Sequence, residues 1–127
     1  MNANEARDQI ERYLAAYNAF DIDGMMALIH PDIKFKNISD GEINATASGS
    51  EKFRQLAEQS EELFRSRKQT MTRFQAEGDQ AFIEVAYEAV LATDLPNGMK
   101  AGETLRLNGR SEFTFHEGMI YRITDFN

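Results

Sequence analysis

The chain has no cysteine, and its 127 residues include only two prolines and two histidines. Without cysteine there is no disulfide, no thiolate-bound metal and no thiol nucleophile. The histidines have no metal-ligand spacing and no glycine-rich phosphate loop occurs, so we expect neither a metal nor another cofactor. We interpret His30, which precedes Pro31, and His116, at a hairpin tip, as exposed turn residues.

Positive charge is also scarce. The 14 Lys and Arg residues are outnumbered by 21 Asp and Glu residues, and the charges are interspersed. Because nucleic-acid binding depends on clustered cations, nucleic acid is not an expected partner. No apolar run reaches the roughly 20 residues that a bilayer crossing needs, and the polar N-terminus lacks the apolar stretch of a signal peptide. We expect a soluble, cytoplasmic protein that binds no membrane and forms one domain over residues 1–127.

A long alternating segment near the C-terminus is the strongest structural pattern. One parity carries Leu105, Leu107, Ser111, Phe113 and Phe115, and the other carries Arg106, Arg110, Glu112 and Thr114. This period of two is typical of a half-buried strand. The alternation resumes after Gly118, so the pattern predicts a β-hairpin between residues 104 and 126.

The first half of the chain has helical periodicity. A helix is predicted from Asn2 to Phe20, with Asn2 and Glu5 as a capping box. Asp21 is suited to cap a second, shorter helix that ends before Pro31. A third helix follows the cap pattern at residues 48–51 and reaches residue 64.

The remaining segments are predicted strands and turns. Strands are expected at 33–38, 69–76 and 81–91, turns at 39–42 and 77–79, and either a weak strand or a loop at 42–47. Helices in the first half followed by a run of antiparallel strands indicate an α+β fold rather than α/β.

Several short segments occur in a recognisable order. They are Arg12-Tyr13, Asp21-Ile-Asp-Gly24, His30-Pro-Asp32, Gly49-Ser-Glu51, Glu77-Gly-Asp79 and the run from Phe113 to Phe126. As an ordered set they resemble the SnoaL-like and ketosteroid-isomerase-like branch of the NTF2-like superfamily over nearly the whole chain. The resemblance implies a cone, in which a strongly curved antiparallel sheet wraps around three helices and leaves an apolar cavity. It also implies a homodimer formed through the outer face of the sheet.

Tyr13 is the first candidate catalytic residue. In ketosteroid isomerases the tyrosine at the matching place on helix 1 donates a hydrogen bond to the developing enolate oxygen. A preorganised donor of this kind stabilises a transition state. The alternative is a core tyrosine whose hydroxyl reaches water or a backbone carbonyl.

Asn37 stands where the isomerase pattern has its aspartate general base. An amide cannot accept a proton near neutral pH, which counts against steroid-type isomerisation. Asn37 could instead orient a water or a ligand carbonyl, or satisfy backbone groups at a turn. Limonene-epoxide-hydrolase-like relatives combine such an asparagine with a tyrosine, an arginine and two aspartates. Here Phe35, Val85 and Tyr87 stand in three of those places, so epoxide hydrolysis is not favoured.

Ser111 and Asp125 are the candidates on the C-terminal hairpin. Ser111 stands where isomerases and many polyketide cyclases carry a second acid, and it either donates a hydrogen bond or leaves cavity space. Asp125 matches an acid common near the family's last strand, and it is either a base or a surface charge bonded to an arginine. Glu84 and Glu88 share a strand face that we expect to be solvated.

These residues predict a protein that binds a small apolar organic molecule, either a cofactor-independent isomerase, cyclase or hydrolase or a non-catalytic ligand carrier or dimeric interaction module. Nine Phe, four Tyr and six Met suit a large and adaptable lining. The residues expected to contact the ligand are Tyr17, Met26, Phe35, Phe53, Leu56, Tyr87, Ser111 and Phe113.

Overall fold

Three helices precede or interrupt the first strands of a six-stranded sheet in the computed structural model, which describes residues 1–127. The helices are α1 (Ala3–Asn18), α2 (Ile22–Met26) and α3 (Ser50–Glu61). The strands are β1 (Ile29–Ser39), β2 (Glu42–Ser48), β3 (Phe64–Glu77), β4 (Gln80–Leu91), β5 (Thr104–His116) and β6 (Met119–Phe126).

Local sequence sets where the first two helices begin. The Asn2 side chain accepts a hydrogen bond from the Glu5 backbone, and the Glu5 side chain accepts one from the Asn2 backbone, which completes the predicted capping box. The Asp21 carboxylate accepts the Gly24 N–H at the start of α2. At α3 the N-cap is Gly49, which has no side chain to cap the helix.

The sheet has the order β2-β1-β6-β5-β4-β3. Four of its pairings are antiparallel, but β1 and β6 run parallel, with Phe35 opposite Ile123 and Asn37 opposite Asp125. The sheet is therefore mixed, and the expectation of a purely antiparallel sheet was wrong at this pairing. The fold class is α+β, as predicted. The reason for the parallel pair is that β1 and β6 meet from opposite ends of the chain and no hairpin fixes their direction.

The sheet curves strongly around the helices. In the sheet order β1 and β3 are four steps apart, which would separate them by roughly 19 Å in a flat sheet. Phe35 of β1 and Arg67 of β3 nevertheless line one cavity. Ladder irregularities at Asn37/Ile38, Met71/Arg73 and Thr114/Phe115 are places where strands bend.

The core lies between α1, α2, α3 and the concave face of the sheet. Its fully buried large side chains are Ile10, Ile33, Leu91, Phe113, Ile120 and Ile123. In β4 the predicted inner parity is correct, since Ala81, Ile83, Val85, Ala89 and Leu91 are all buried. No helix is both long and apolar enough to cross a membrane.

Three element boundaries differ from the prediction. β1 begins at Ile29, so Pro31 lies within a strand, and α2 ends before it, at Met26. Residues 42–48 form a true strand, paired with β1. Phe64 opens β3 instead of closing α3, because Phe64 pairs with Leu91 of β4. In each case strand pairing, a non-local interaction, decides the boundary.

Candidate functional site

A cavity of about 510 Å³ lies between the helices and the concave face of the sheet. Sixteen of its 27 lining residues are hydrophobic, and polar or ionisable side chains make up most of the rest. The polar or ionisable groups that could contact a ligand include Tyr13, Tyr17, Asn37, Arg67, Tyr87, Ser111 and Asp125. The fold brings distant parts of the chain together here: Tyr13 on α1 and Asp125 on β6 are 112 positions apart.

Six of the eight residues predicted to contact a ligand line the cavity. They are Tyr17, Phe35, Phe53, Leu56, Tyr87 and Ser111. Met26 and Phe113 do not, and we correct both. Met25 contributes to the wall in place of its neighbour, because the short helix α2 turns Met25 inward. Phe113 lies deeper in the core, where its ring packs edge-on against Tyr13 at 6.1 Å between centroids.

Tyr13 is held on α1 with its residue only 6% exposed. Burial raises the pKa of its hydroxyl well above the usual value, and the charge of Asp125 raises it further. No hydrogen bond from a side chain contributes to this pKa. The phenol is therefore protonated at physiological pH, with its hydroxyl available as a donor at the cavity wall.

Asp125 and Ser111 form a pair across β5 and β6. The Ser111 hydroxyl donates to Asp125 Oδ1 at 2.6 Å, and the two residues are directly opposite in the ladder. Burial raises the pKa of Asp125 from 3.8 to about 6, while the Ser111 hydrogen bond lowers it. The carboxyl therefore lies inside the cavity rather than on the surface beside an arginine, and its titration range lies near neutral pH.

Asn37 belongs to a polar cluster at the cavity rim. Its amide nitrogen donates to Asn44 Oδ1 at 2.7 Å, and its amide oxygen accepts from Asn127 Nδ2 at 2.9 Å. Ser39 joins the cluster through Asn44 and through a short contact with Asn127. These bonds orient the Asn37 amide, and its partners are the side chains of Asn44, Asn127 and Ser39 rather than backbone groups.

Tyr17 and Tyr87 meet at the other side of the cavity, where their hydroxyl oxygens are 2.9 Å apart. Burial raises the pKa of both hydroxyls, so both remain protonated. Arg67 lies beside them, with its guanidinium carbon 3.7 Å from the centre of the Tyr17 ring. Only 4% of Arg67 is exposed.

Arg67 was not predicted as a site residue. The sequence interpretation began the strand at residue 69 and left Arg67 between helix and strand. Arg67 shares the parity of Gln69 and Met71, so a strand extended to Phe64 would have placed it on the inner face. The alternation that places Arg67 on the inner face is present in the sequence, but the predicted strand began two residues after Arg67.

With this geometry established, the chain can be compared with known proteins. Residues 10–123 match the SnoaL-like domain model. The chain belongs to the SnoaL-like domain family. No curated protein is significantly similar to it in sequence.

Solved structures share the fold of this SnoaL-like chain. A candidate polyketide cyclase from Xanthomonas campestris pv. campestris is 22% identical with a TM-score of 0.81, and the match covers 100% of this chain and 93% of that one. The candidate hydroxylase AclR from Streptomyces galilaeus is 18% identical with a TM-score of 0.78, covering 98% and 89%. A ketosteroid-isomerase-like protein from Catenulispora acidiphila, solved with trimethylamine, is 15% identical with a TM-score of 0.77, covering 94% and 84%. The TM-scores establish that the fold is shared and is NTF2-like.

The histidines of this SnoaL-like protein lie outside the cavity. His30 is 7% exposed, so its interpretation as an exposed turn residue was wrong: it is in β1 and packs edge-on against Tyr121. His30, His116 and Glu117 bring possible metal-ligand atoms within 4.8 Å of one another, which their spacing in sequence does not suggest. However, His30 Nδ1 accepts the Asp32 N–H at 3.0 Å, so the neutral ring carries its proton on Nε2, the atom that faces Glu117. In that tautomer the protonated Nε2 lies 3.5 Å from a Glu117 carboxylate oxygen and offers no lone pair to a metal there.

The two strand glutamates face away from the cavity. Glu88 lies 3.5 Å from Arg106, the partner expected across the sheet. Glu84 lies 3.5 Å from Arg73 of β3 instead of from Arg110, whose guanidinium stacks over Phe126. Both glutamates are exposed, so neither is a cavity acid of this SnoaL-like fold.

Proposed function

We propose that this SnoaL-like protein binds a small organic molecule in the cavity and catalyses a cofactor-independent proton transfer on it. Isomerisation and cyclisation of a carbonyl compound both begin with such a step, and a hydrolytic reaction would use the same base to activate water. The observation that carries the proposal is the Asp125 carboxyl, with a pKa of about 6, in a mostly apolar cavity that also contains the Tyr13 phenol.

In the proposed step the Asp125 carboxylate removes a proton from carbon next to a ligand carbonyl. The electron pair moves onto the carbonyl oxygen, and the Tyr13 hydroxyl donates a hydrogen bond to the resulting enolate. The proton then returns from Asp125 to a carbon or oxygen of the product. Ser111 orients the carboxylate through its 2.6 Å hydrogen bond.

Asn37 has a different proposed role from the general base of isomerases. Its amide is already bonded to Asn44 and Asn127 at the rim. We therefore assign it to shaping the cavity entrance and to orienting a ligand carbonyl or a water there, while Asp125 supplies the base. The trimethylamine bound to the relative from Catenulispora acidiphila supports binding of small organic molecules by this fold.

The proposed step can be tested by hydrogen–deuterium exchange. We expect the protein to accelerate exchange of the α-hydrogens of 2-tetralone, a bicyclic ketone, in D₂O, as followed by NMR. The exchange rate should rise about tenfold per pH unit below pH 6 and level off above it, because only the Asp125 carboxylate is a base.

Variants separate the roles in this assay. Asp125→Asn should abolish the acceleration, and Tyr13→Phe should reduce it by roughly a hundredfold. Glu84→Gln on the exposed sheet face is the matched control and should leave the rate unchanged. An unchanged rate in Tyr13→Phe would contradict its role as donor, and an unchanged rate in Asp125→Asn would contradict the whole mechanism.

The alternative is a non-catalytic ligand carrier or dimeric interaction module. It is favoured by the amide at Asn37, and the outer sheet face offers a surface for the homodimer that the family resemblance implies. That face carries a hollow where Lys68, Glu88 and Arg106 present both charge signs around Ala86 and Val90. Light scattering after size exclusion should give twice the chain mass, and Ala86→Glu should give a monomer. A wild-type monomer would contradict the dimer.

A further inference from the structure

The guanidinium of Arg67 is the least satisfied polar group of the molecule. Its Nε donates to the Tyr17 carbonyl oxygen at 2.9 Å, but Nη1 and Nη2 are both buried without a hydrogen-bond partner. No carboxylate lies within ion-pair distance of it. Arginine stays charged at any physiological pH, so a positive charge is buried here, and its terminal nitrogens have no hydrogen-bond partner at ordinary distance.

Part of the guanidinium has a structural role. The Tyr17 carbonyl belongs to the last turn of α1, which has no basic residue of its own. Arg67 therefore supplies from β3 the cation that the negative end of a helix attracts. Stacking on Tyr17 at 3.7 Å and on Phe20 at 4.5 Å fixes the guanidinium plane. These contacts engage Nε and the flat faces, and leave the two terminal nitrogens unexplained.

The Tyr17 and Tyr87 hydroxyls add a further unused donor. In their 2.9 Å contact one hydroxyl donates to the other, so the hydrogen of the accepting hydroxyl remains free. The Arg67 guanidinium stacks on the Tyr17 ring, and its charge lowers the pKa of both hydroxyls against the larger effect of burial; a weak side-chain interaction with Arg67 also lowers the pKa of Tyr17. Arg67, Tyr17 and Tyr87 are all part of the cavity wall. This part of the wall thus combines a fixed positive charge with a surplus hydroxyl donor, and the Asp125 carboxylate of the same cavity does not come within ion-pair distance of the guanidinium.

We propose that the ligand of this cavity carries an acidic oxygen group, a carboxylate or an ionised phenol or enol, which binds to the terminal nitrogens of Arg67 beside Tyr17 and Tyr87. The apolar body of the ligand then lies against Phe35, Phe53 and Leu56. A planar anion matches the guanidinium because both partners present parallel hydrogen-bonding atoms. Since both nitrogens are covered, the anion displaces a neighbouring side chain as it binds.

This inference rests on the proposed binding function and specifies its ligand class. In the proposed reaction Asp125 is the group that exchanges a proton, and burial and Ser111 set its ionisation. Arg67 has no proton to exchange, so it is a positioning residue that orients the acidic end of the ligand. A ligand that carries both an acidic group and a reacting carbon would bind Arg67 through the acidic group. The distance between the two groups would then set where the carbon lies relative to Asp125.

The test compares 2-naphthoate with 2-acetylnaphthalene, which have the same ring system and differ in charge. Calorimetric titration at pH 7.5 should show that wild-type protein binds 2-naphthoate about tenfold more tightly or better. In Arg67→Met the preference should vanish, while 2-acetylnaphthalene binds as before. Tyr87→Phe should weaken 2-naphthoate binding severalfold with little change for the ketone, and it provides a second test if Arg67→Met fails to fold.

Each contrary result has a distinct meaning. Equal affinity for the two compounds, or a preference that survives both variants, would overturn the acidic-ligand inference and leave cavity binding intact. Failure of both compounds to bind wild-type protein would overturn the proposed binding function, and the inference with it. Circular dichroism of each variant establishes that its fold is retained.

Discussion

Burial raises the pKa of Asp125 and the hydrogen bond from Ser111 lowers it. Burial has the larger effect. The folded-state pKa of about 6 exceeds the 3.8 of a free side chain. Below pH 3.8 the carboxyl is protonated in both the folded and unfolded states and does not alter stability. Between these two values the unfolded state ionises first, so the folded state loses stability as pH rises, and the full loss is present above pH 6.

Asp125→Asn should therefore raise the free energy of unfolding at pH 7.5, by on the order of 2 kcal/mol. The neutral amide keeps an oxygen for the Ser111 hydrogen bond and removes the buried charge. Chemical denaturation at several pH values measures the effect, which should disappear near pH 3.5. Asp79→Asn, at an exposed turn, is the control and should show no such gain. A destabilised Asp125→Asn protein at pH 7.5 would contradict the raised pKa.

Ser111→Ala should raise the pKa of Asp125 above about 6, because it removes the only hydrogen bond that favours the carboxylate. The pKa can be followed by NMR titration of the side-chain carboxyl carbon. Thr114→Ala on the opposite face of the same strand should leave it unchanged. A lower pKa in Ser111→Ala would mean that another group stabilises the carboxylate.

At the level of single residues, the structure places Tyr13 and Asp125 in the cavity wall and adds Arg67, which was not predicted from the sequence. Tyr13 and Asp125 were identified because family resemblance places them on particular elements. Arg67 was missed, because its role depends on burial against the end of α1 and on the start of β3 at Phe64. His30 was misplaced because its burial comes from distant residues, the rings of His116 and Tyr121, which pack against it from the C-terminal hairpin.

The junction of α1 with β3 is the element contact that positions one side of the cavity. The Asn18 side chain accepts the Gln69 N–H at 2.8 Å and donates to the Gln69 carbonyl at 3.1 Å, so it extends the edge of β3. Tyr17 and Arg67 lie directly beside this contact. The pair of hydrogen bonds therefore fixes the helix end against the strand that carries the guanidinium.

Asn18→Ala should lower the free energy of unfolding by about 1–3 kcal/mol, because it leaves the Gln69 backbone groups without partners. Thermal and urea denaturation measure this change. Asn18→Asp keeps an oxygen acceptor for the Gln69 N–H and should lose less. Equal losses in the two variants would show that the hydrogen bond from the Gln69 N–H contributes nothing.

Gly109 marks a close approach between β5 and β6. A Cβ at this position would lie 2.8 Å from the Phe126 carbonyl oxygen, which is backbone and cannot easily move. Gly109→Ala should therefore lower the free energy of unfolding by about 1–3 kcal/mol, as measured by urea denaturation. The neighbouring exposed Asn108→Ala should stay within about 0.5 kcal/mol of wild type. If the two variants were equally stable, β5 and β6 would be able to move apart at Gly109 without a loss of stability.

The whole molecule is a curved sheet whose concave side is only partly filled by helices. Its cavity of about 510 Å³ has the size and mostly apolar wall of a small-molecule site. Because protein interiors are otherwise closely packed, a hollow of this volume that opens to solvent is available for a ligand.

Leu56→Trp should fill part of this space. We expect it to weaken binding of 2-acetylnaphthalene at least tenfold, while the midpoint of thermal unfolding stays the same or rises, because the indole replaces empty volume with contacts. Fluorescence titration and thermal denaturation measure the two effects. Gln55→Trp on the exposed side of α3 controls for the added aromatic ring. Undiminished binding in Leu56→Trp would place the ligand elsewhere.

Features that depend on neighbouring residues could be predicted from the sequence alone. The capping box at Asn2, the cap at Asp21 and the alternation along β4 and β5 follow from local hydrogen bonding and side-chain periodicity. These patterns, with the ordered family segments, were sufficient for the α+β class and the SnoaL-like family.

Features that depend on distant residues became known from the folded chain. The parallel pairing of β1 with β6, the pKa of Asp125 and the unpaired guanidinium of Arg67 arise where segments far apart in the chain exclude water together. Pairing direction, desolvation and the absence of a partner are properties of an environment, and no single stretch of sequence contains that environment.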